Sequence, residues 1–174
     1  MGKDANAGQG LFSNEWRTLT RGEIDLCRSV FPDPLAYDEI RLIDGPRAND
    51  FAEMAFRNRN TAITLRRTIY FGTRWSGEYS GADEEKRRLF LHEMTHIWQW
   101  HRLGVFGFLA RYAHDFLACR GNAAAMYRYE ADEVPFAAAR LEAQAEMVGD
   151  YQRSRSPLRA LIEKKLGGTG FYGL

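Results

Sequence analysis

Two histidines and a glutamate within five residues carry the clearest chemical signal in this 174-residue chain. His92, Glu93 and His96 form the pattern H-E-x-x-H. On a helix, histidines four residues apart lie on the same face, where both can bind one Zn²⁺ ion. The glutamate then lies beside the open coordination position, where it can act as a general base on water. The pattern predicts a metal-dependent hydrolase with His92 and His96 as metal ligands and Glu93 as the catalytic residue.

The pattern lies on a segment that has independent helix signals. From Asp83 to Leu103 there is no proline or glycine, and the acidic residues at positions 83 to 85 favour a helix N-terminus. Gly104 predicts the end of this helix. At ~100° per residue, both histidines share a stripe with apolar residues, whereas Thr95 and Gln99 fall on a polar side. The histidines are therefore predicted to point into the protein.

A catalytic zinc site needs a third protein ligand, and two further histidines are candidates. On a continuous helix His101 points ~140° away from His96, which disfavours it. His114 lies beyond two glycines that interrupt the helix pattern, so it could fold back toward the site. Asp115, its neighbour, could then orient the imidazole ring.

Acidic residues spaced by four supply the other candidates, on a second predicted helix that runs to about Arg153. Like charges at this spacing destabilise a helix by roughly 0.2–0.5 kcal/mol per pair unless a cation compensates them. Relative to the apolar centre of this helix, Glu142 lies ~100° round and borders the core, whereas Asp150 lies ~180° away on a predicted solvated face. Glu142 is therefore the predicted third ligand. Glu146 is predicted as a partner of a histidine or as an alternative ligand.

These motifs also resemble those of a known family. The segment Leu91 to Gln99, followed by Pro135-Phe136 and by the run from Glu142 to Val148, is similar to the zincin-like domain of bacterial Vgr-related proteins. Such proteins are often found near contractile injection or type VI secretion systems. The second motif of the family typically reads E-Q-Q-A-E-I-V, and its first glutamate, which falls on Glu142, would be the third ligand as in gluzincins. The resemblance spans about Leu19 to Tyr151 and implies a metal-hydrolase scaffold.

Composition and charge indicate one folded domain around this site. The chain is 45% hydrophobic and 13% aromatic, which argues against disorder, and its length suits a single domain. Residues 1–14 are predicted as a flexible N-terminal tail and residues 15–174 as a single zincin-like domain. The formal net charge is +1, and the arginines are scattered, which predicts no nucleic-acid partner. Cys27 and Cys119 are predicted to be free thiols.

The sequence also predicts where the protein resides. No stretch is long and apolar enough to cross a membrane, which predicts no membrane partner. The first ten residues lack the apolar region of a signal peptide. Cytoplasmic localisation is therefore predicted, with export by a secretion system that reads no signal peptide as the alternative.

The predicted fold class is α+β, a mainly helical zincin-like domain with a small sheet preceding the His92 helix. Thr20 and Glu23 form a capping box for a first helix that should end before Pro32. Strands are predicted over residues 38–43, 61–65 and 68–72, and Thr68 to Phe71 is predicted as the edge strand that holds extended substrate. Later helices are predicted over 105–117 and 158–166, with a loop over 121–135.

Together these features predict a zinc metallopeptidase. Zn²⁺ held by His92, His96 and Glu142 would activate a water that attacks an amide or peptide carbonyl, and Glu93 would pass the proton to the leaving amine. The predicted partners are a peptide or protein substrate and a bacterial secretion or injection system. A catalytically silent binding or structural module of such a system, and a zinc amidase acting on a non-protein substrate, are the alternatives. The candidate donors to an oxyanion are Tyr127, Tyr129 and His114.

Overall fold

The computed structural model describes residues 12–58, 60–130, 134–153 and 157–174, so most of the predicted N-terminal tail lies outside the described residues. Within these ranges the strands are β1 (Trp16–Thr18), β2 (Arg41–Asp44), β3 (Ala62–Leu65) and β4 (Thr68–Phe71). The α-helices are α1 (Arg21–Val30), α2 (Asp50–Arg57), α3 (Glu84–Ala118), α4 (Ala123–Met126), α5 (Leu141–Tyr151) and α6 (Arg159–Leu166). The predicted mixed class, mainly helical with a small sheet before the His92 helix, is confirmed.

The four strands form one sheet in the order β1-β2-β4-β3. β2 and β4 run parallel, whereas β1–β2 and β3–β4 are antiparallel pairs. The predicted edge strand is wrong, because β4 lies between β2 and β3 and the edge beside α3 is β3. A period-2 pattern identifies a strand but carries no information about its neighbours, and here the pairing of β4 with β2 leaves its hairpin partner at the edge.

Helix α1 forms as its capping box predicts. The Glu23 amide donates to the Thr20 hydroxyl, and the Glu23 carboxylate accepts from the Thr20 amide at 2.9 Å. The helix ends at Val30, before Pro32. The same carboxylate is fully buried, accepts two hydrogen bonds of 2.7 Å from Arg17, and also accepts from the Tyr79 amide. It therefore joins β1 and α1 to the loop that leads into α3.

Helix α3 is the central element of the domain. It starts after Asp83, whose side chain accepts from the Lys86 amide. It bends at Gly104, where φ is 65°, so the predicted break is present and a second helical segment follows it directly. The residues from Phe90 to Ile97 are all buried, as is Gln99. The polar side predicted for Thr95 and Gln99 is therefore wrong, because the sheet and α5 cover this helix from different directions.

Two contacts hold α3 between these layers. On the sheet side, the ring of Tyr79 stacks between Phe71 of β4 and Phe90 of α3, with centroid distances of 4.7 and 5.1 Å. On the other side, α5 approaches so closely at Gly149 that an added Cβ would lie 3.0 Å from the Arg88 carbonyl oxygen. The glycine therefore sets the distance between the two helices that carry the predicted ligands.

Several other elements differ from the sequence-based expectation. Residues 37–39 form a short 3₁₀ helix before β2, so the strand predicted over 38–43 starts later. Strand β1 and helix α2 were not predicted, although Asn49 caps α2 by accepting from the Ala52 amide. Helix α4 lies within the predicted loop, and α5 ends at Tyr151. Helix α6 forms as predicted, within one residue of its start.

The C-terminal segment docks on the domain. The ring of Phe171 is buried and lies 4.9 Å from Trp98 and 5.0 Å from Phe136, measured between centroids. Cys27 is buried, and both cysteines are free thiols, as predicted. Among the described helices, none has the length and apolarity needed to span a bilayer.

Candidate metal centre

The structure brings the three predicted ligands together in the interior. His92 and His96 come from adjacent turns of α3, and Glu142 comes from the first turn of α5. The Nε2 atoms of the two histidines are 3.2 Å apart. Glu142 Oε2 lies 3.4 Å from His92 Nε2 and 3.2 Å from His96 Nε2. All three side chains are buried, so the three atoms form a small triangle shielded from solvent.

The triangle can be compared with the dimensions of a tetrahedral metal site. Zinc binds imidazole nitrogen and carboxylate oxygen at about 2.0–2.1 Å, which places two ligand atoms about 3.3 Å apart at the tetrahedral angle. The three observed distances lie within about 0.1 Å of that value. Glu142 Oε2 is also buried without a hydrogen bond to any described residue. Two imidazoles and a carboxylate form a donor set that suits zinc, so the residues fit the ion.

The charges of the three groups are strongly coupled. Burial opposes protonation of His92, but its interactions with Glu142 and Glu146 outweigh this effect and raise its pKa to about 10. Burial also opposes protonation of His96, and the charge of Glu142 raises its pKa nonetheless. The same two histidines lower the pKa of Glu142, despite its burial. The carboxylate therefore creates a position that attracts positive charge.

The second nitrogen of each imidazole faces a side chain outside the triangle. His96 Nδ1 lies 2.8 Å from Gln99 Oε1. The amide nitrogen of Gln99 donates to the Leu141 carbonyl and to Gln144 Oε1, at 2.9 and 3.0 Å. Gln99 therefore fixes the ring of His96 relative to the start of α5. Such partners orient the coordinating nitrogen of a ligand histidine.

The other nitrogen of His92 lies beside a single acidic residue, Glu146. The His92 Nδ1 atom lies 3.3 Å from Glu146 Oε1, within ion-pair distance although without a well-aligned hydrogen bond. Glu146 therefore lies beside the histidine as a partner, away from the triangle. Arg88, one turn before His92, binds Glu146 and donates to Asp150 at 2.6 Å.

The solvated face predicted for Asp150 is wrong. The side chain is buried and accepts hydrogen bonds from Arg88 and, at 2.7 Å, from the hydroxyl of Tyr129. The cation that compensates the like charges of Glu146 and Asp150 is thus an arginine of α3. Sequence spacing within α5 could not reveal it, because the partner lies 58 residues or more away.

Glu93 and the three candidate ligands line a cavity of about 260 Å³. Glu93 Oε2 accepts a hydrogen bond of 2.7 Å from the Thr64 hydroxyl on the edge strand β3. The remaining wall is largely apolar and aromatic, and it includes Ile63, Phe108 and Leu109. The cleft thus combines a carboxylate, a candidate metal position and an exposed strand edge.

The other sequence candidates lie in different places. The ring of Tyr127 is near-parallel to that of His92, at 6.1 Å between centroids, and lines the cavity together with Tyr112. The hydroxyl of Tyr129 is instead bound to Asp150. His114 is exposed, and His101 is exposed in a separate cavity.

Asp115 lies near His114, as predicted, but its main contacts are with Leu141 and Arg111. His114 Nδ1 lies 3.3 Å from Asp115 Oδ1, but the carboxylate is buried and accepts from the Leu141 amide at 3.0 Å and from Arg111. It thereby holds the first residue of α5, next to Glu142. Asp115 acts on the position of α5, and the alternative in which His114 joins the ligands is not supported by this geometry.

Sequence reasoning missed three contributors to the site. Gln99 follows His96 by three residues on the same helix, so the i, i+3 spacing could have revealed the pair. Arg88 and Thr64 carry no such signal, because their partners lie far away in the sequence.

Comparisons with known proteins agree with the secretion-system resemblance. Residues 35–103 match the eCIS core domain. The chain is 35% identical over 106 residues, 60% of its length, to the type VI secretion system spike protein VgrG2b of Pseudomonas aeruginosa strain PAO1. It spans only 9% of the length of that spike protein.

A solved structure is also similar. The effector domain of Pseudomonas aeruginosa VgrG2b matches 88% of this chain and 81% of its own length, with a TM-score of 0.58 and 26% sequence identity. These similarities relate the chain to a spike protein of a type VI secretion system and to its effector domain. They concern the scaffold and do not by themselves assign a reaction to the site.

Proposed function

We propose that the protein is a zinc-dependent peptidase in which His92, His96 and Glu142 hold the metal and Glu93 is the general base. The observation that carries this proposal is the buried triangle of two imidazole nitrogens and one carboxylate oxygen, with sides of 3.2 to 3.4 Å, beside a cavity that Glu93 also lines. A closed structural site has no need of a second carboxylate that does not bind the metal.

A bound zinc ion would supply a Lewis acid that polarises a carbonyl and lowers the pKa of a water molecule. Within the chain, Glu93 would accept the proton of that water and deliver it to the leaving amine. Thr64 would hold the carboxylate of Glu93 in one orientation. Tyr112 and Tyr127 line the same cavity, and their hydroxyls are the donors available to an oxyanion.

The form of the cleft favours an extended peptide as substrate. Strand β3 is at the edge of the sheet, and its residues from Ala62 to Leu65 all line the cavity. An edge strand offers unpaired backbone groups to which an extended chain can add as a further strand. We expect Thr64, which contacts Glu93, to mark the level of the scissile bond along this edge.

The similarity to a spike protein and its effector domain supports a role of the proposed peptidase in a secretion or injection system. A zincin-like domain with this relationship would act as a component or cargo of a secretion or injection system, and export by such a system would bring it to its substrate. The silent-module alternative shares the scaffold and the triangle, and it differs in assigning no role to Glu93.

Zinc content and hydrolysis test the two parts separately. The metal content of purified protein is measured for wild type, His96→Ala and Glu142→Gln, with Asp25→Asn on the exposed face of α1 as the matched control. We expect one zinc per chain in wild type and control, and a large loss in both site variants. Failure of wild type to hold stoichiometric zinc would refute the metal site.

Hydrolysis of a mixed peptide library then tests catalysis. Wild type is expected to cleave, and Glu93→Gln is expected to keep zinc while losing most of the rate. Retention of zinc by both proteins, with no cleavage by wild type, would refute the peptidase and leave the silent module and the zinc amidase with a non-protein substrate as the alternatives. Equal cleavage by both would remove Glu93 from the mechanism.

A further inference from the structure

A second cavity, of about 250 Å³, adjoins the end of the proposed substrate cleft. Trp100 and the chain around Leu65 and Arg66 connect the two, because Trp100 lines both cavities while Leu65 lines the first and Arg66 lines the second. The second cavity lies between the β3–β4 turn and the bend of α3 at Gly104.

The charged residues that line this cavity are two arginines. Arg66, Arg67 and His101 are on its wall, over an apolar floor that includes Ile40 and Ile97, and no acidic side chain contributes to the lining. Arg67 is paired with Glu39, which lies outside the cavity. In the part of the chain that the structure describes, Arg66 has no carboxylate within ion-pair distance. Arg66 is therefore an exposed arginine without an ion pair to any described residue at the end of the cleft, and on its other side it lines a separate cavity with Asp38 and Glu39.

Arginine is also an unfavourable residue for the backbone conformation found at position 66. Residues 66 and 67 form the two-residue connection between β3 and β4, and Arg66 has a φ of 56°. Asparagine or glycine adopts this left-handed conformation more readily than arginine. An unfavourable residue at a turn beside a cleft suggests that its side chain has a role there.

A buried donor accompanies these charges. The indole N–H of Trp100 is inaccessible to solvent and has no hydrogen-bond acceptor among the described residues. Trp100 stands at the boundary between the two cavities, with its ring stacked on Phe108 at 3.9 Å. An acceptor from a ligand that crosses this boundary would satisfy the donor.

From these observations we infer that the second cavity is a subsite for an acidic side chain of the peptide substrate, with Arg66 as the specificity-determining residue. The inference rests on the proposed peptidase function. A strand paired with β3 advances by about 3.3 Å per residue, and Arg66 follows Thr64 by two positions. The acidic residue would therefore lie two or three residues from the scissile bond.

Peptide binding tests the subsite without relying on turnover. The probes are acetylated and amidated ten-residue peptides of alanine and leucine that carry one glutamate at each position in turn, with glutamine in the same positions as the neutral set. Binding to zinc-loaded Glu93→Gln protein is measured by isothermal titration calorimetry. At one or two positions, glutamate should bind about fivefold tighter than glutamine at low salt, and the preference should shrink as salt screens the charges.

Two arginine variants in the Glu93→Gln background locate the effect. Arg66→Asn keeps a residue that tolerates positive φ but removes the cation, and it should abolish the preference for glutamate. Arg120→Asn is the matched control, because Arg120 is also exposed, has a φ of 53° and lies outside the cavity. It should retain the full preference. If no position favours glutamate, or if Arg66→Asn keeps the preference, the subsite is refuted.

Hydrolysis by protein that retains Glu93 separates this inference from the proposed function. Equal kcat/KM for the best glutamate peptide and its glutamine counterpart would refute the acidic subsite while peptidase activity stands. An Arg66-dependent preference in binding, with no cleavage of any peptide, would uphold the subsite and refute the peptidase.

Discussion

The hydroxyl of Thr64 on the edge strand donates a hydrogen bond of 2.7 Å to the carboxylate of Glu93 on the central helix. Both side chains are buried at the wall of the cleft. This contact joins strand β3, which is expected to hold the substrate, to Glu93, which is expected to take the proton of the attacking water. It makes the orientation of Glu93 depend on the position of β3.

Replacing Thr64 should therefore affect turnover more than metal binding. In Thr64→Val the carboxylate loses its donor and gains rotational freedom, so kcat should fall about tenfold, which is less than the ~10²–10⁴-fold contributed by a general acid–base group itself. Thr64→Ser should retain most of the rate because it keeps the hydroxyl. Steady-state kinetics and zinc content are measured together. A loss of zinc in Thr64→Val, or equal rates for the two variants, would contradict the positioning role.

Arg88 should be essential to the stability of α5. In Arg88→Met the partly buried carboxylates of Glu146 and Asp150 face each other without their cation, so the free energy of unfolding should fall by about 3 kcal/mol. Arg21→Met, which breaks an exposed pair with Asp25, should cost less than about 1 kcal/mol. Urea denaturation measures both. Adding Glu146→Gln and Asp150→Asn to Arg88→Met should recover part of the loss, and a purely additive cost would contradict the pairing.

The close approach of α5 to α3 should make Gly149 sensitive to a single methyl group. In Gly149→Ala the new Cβ lies 3.0 Å from the Arg88 carbonyl oxygen, so the helices must separate, at a cost of about 1–3 kcal/mol. Because the ligands come from both helices, zinc affinity should fall as well. Gly77→Ala, where no atom lies within 4 Å of the added Cβ, is the control and should change neither quantity appreciably. Thermal unfolding with and without zinc gives the comparison.

Gln99 should tune the metal site without being part of it. Gln99→Leu leaves His96 Nδ1 without its partner, which should lower zinc affinity 10- to 100-fold, the usual effect of removing a group that orients a ligand histidine. The site should still fill at high zinc concentration, in contrast to His96→Ala. Competition with a chromophoric chelator measures the affinities. Unchanged affinity in Gln99→Leu would contradict this orienting role.

Local sequence patterns were sufficient for those features that depend on neighbours along the chain. His92, Glu93 and His96 lie within five residues, so helical geometry alone predicts their common location. The capping box of Thr20 and Glu23 and the break at Gly104 are local in the same sense, and both are present. Glu142 could be proposed as well, because its angle to the apolar centre of its own helix indicates which side faces the core.

Tertiary structure decided the features that depend on long-range contacts. The edge strand is β3 where the sequence predicted β4, because strand pairing decides the order and a period-2 pattern does not encode it. Asp150 was expected in solvent because a charge at that angle is usually hydrated, and it is buried because Arg88 arrives from another helix. The bond between Thr64 and Glu93 spans 29 residues and has no local signature. The sequence thus determined the chemical identity of the site, whereas the packing of α3 against β3 and α5 determined its geometry, because distances between elements arise only when their surfaces meet.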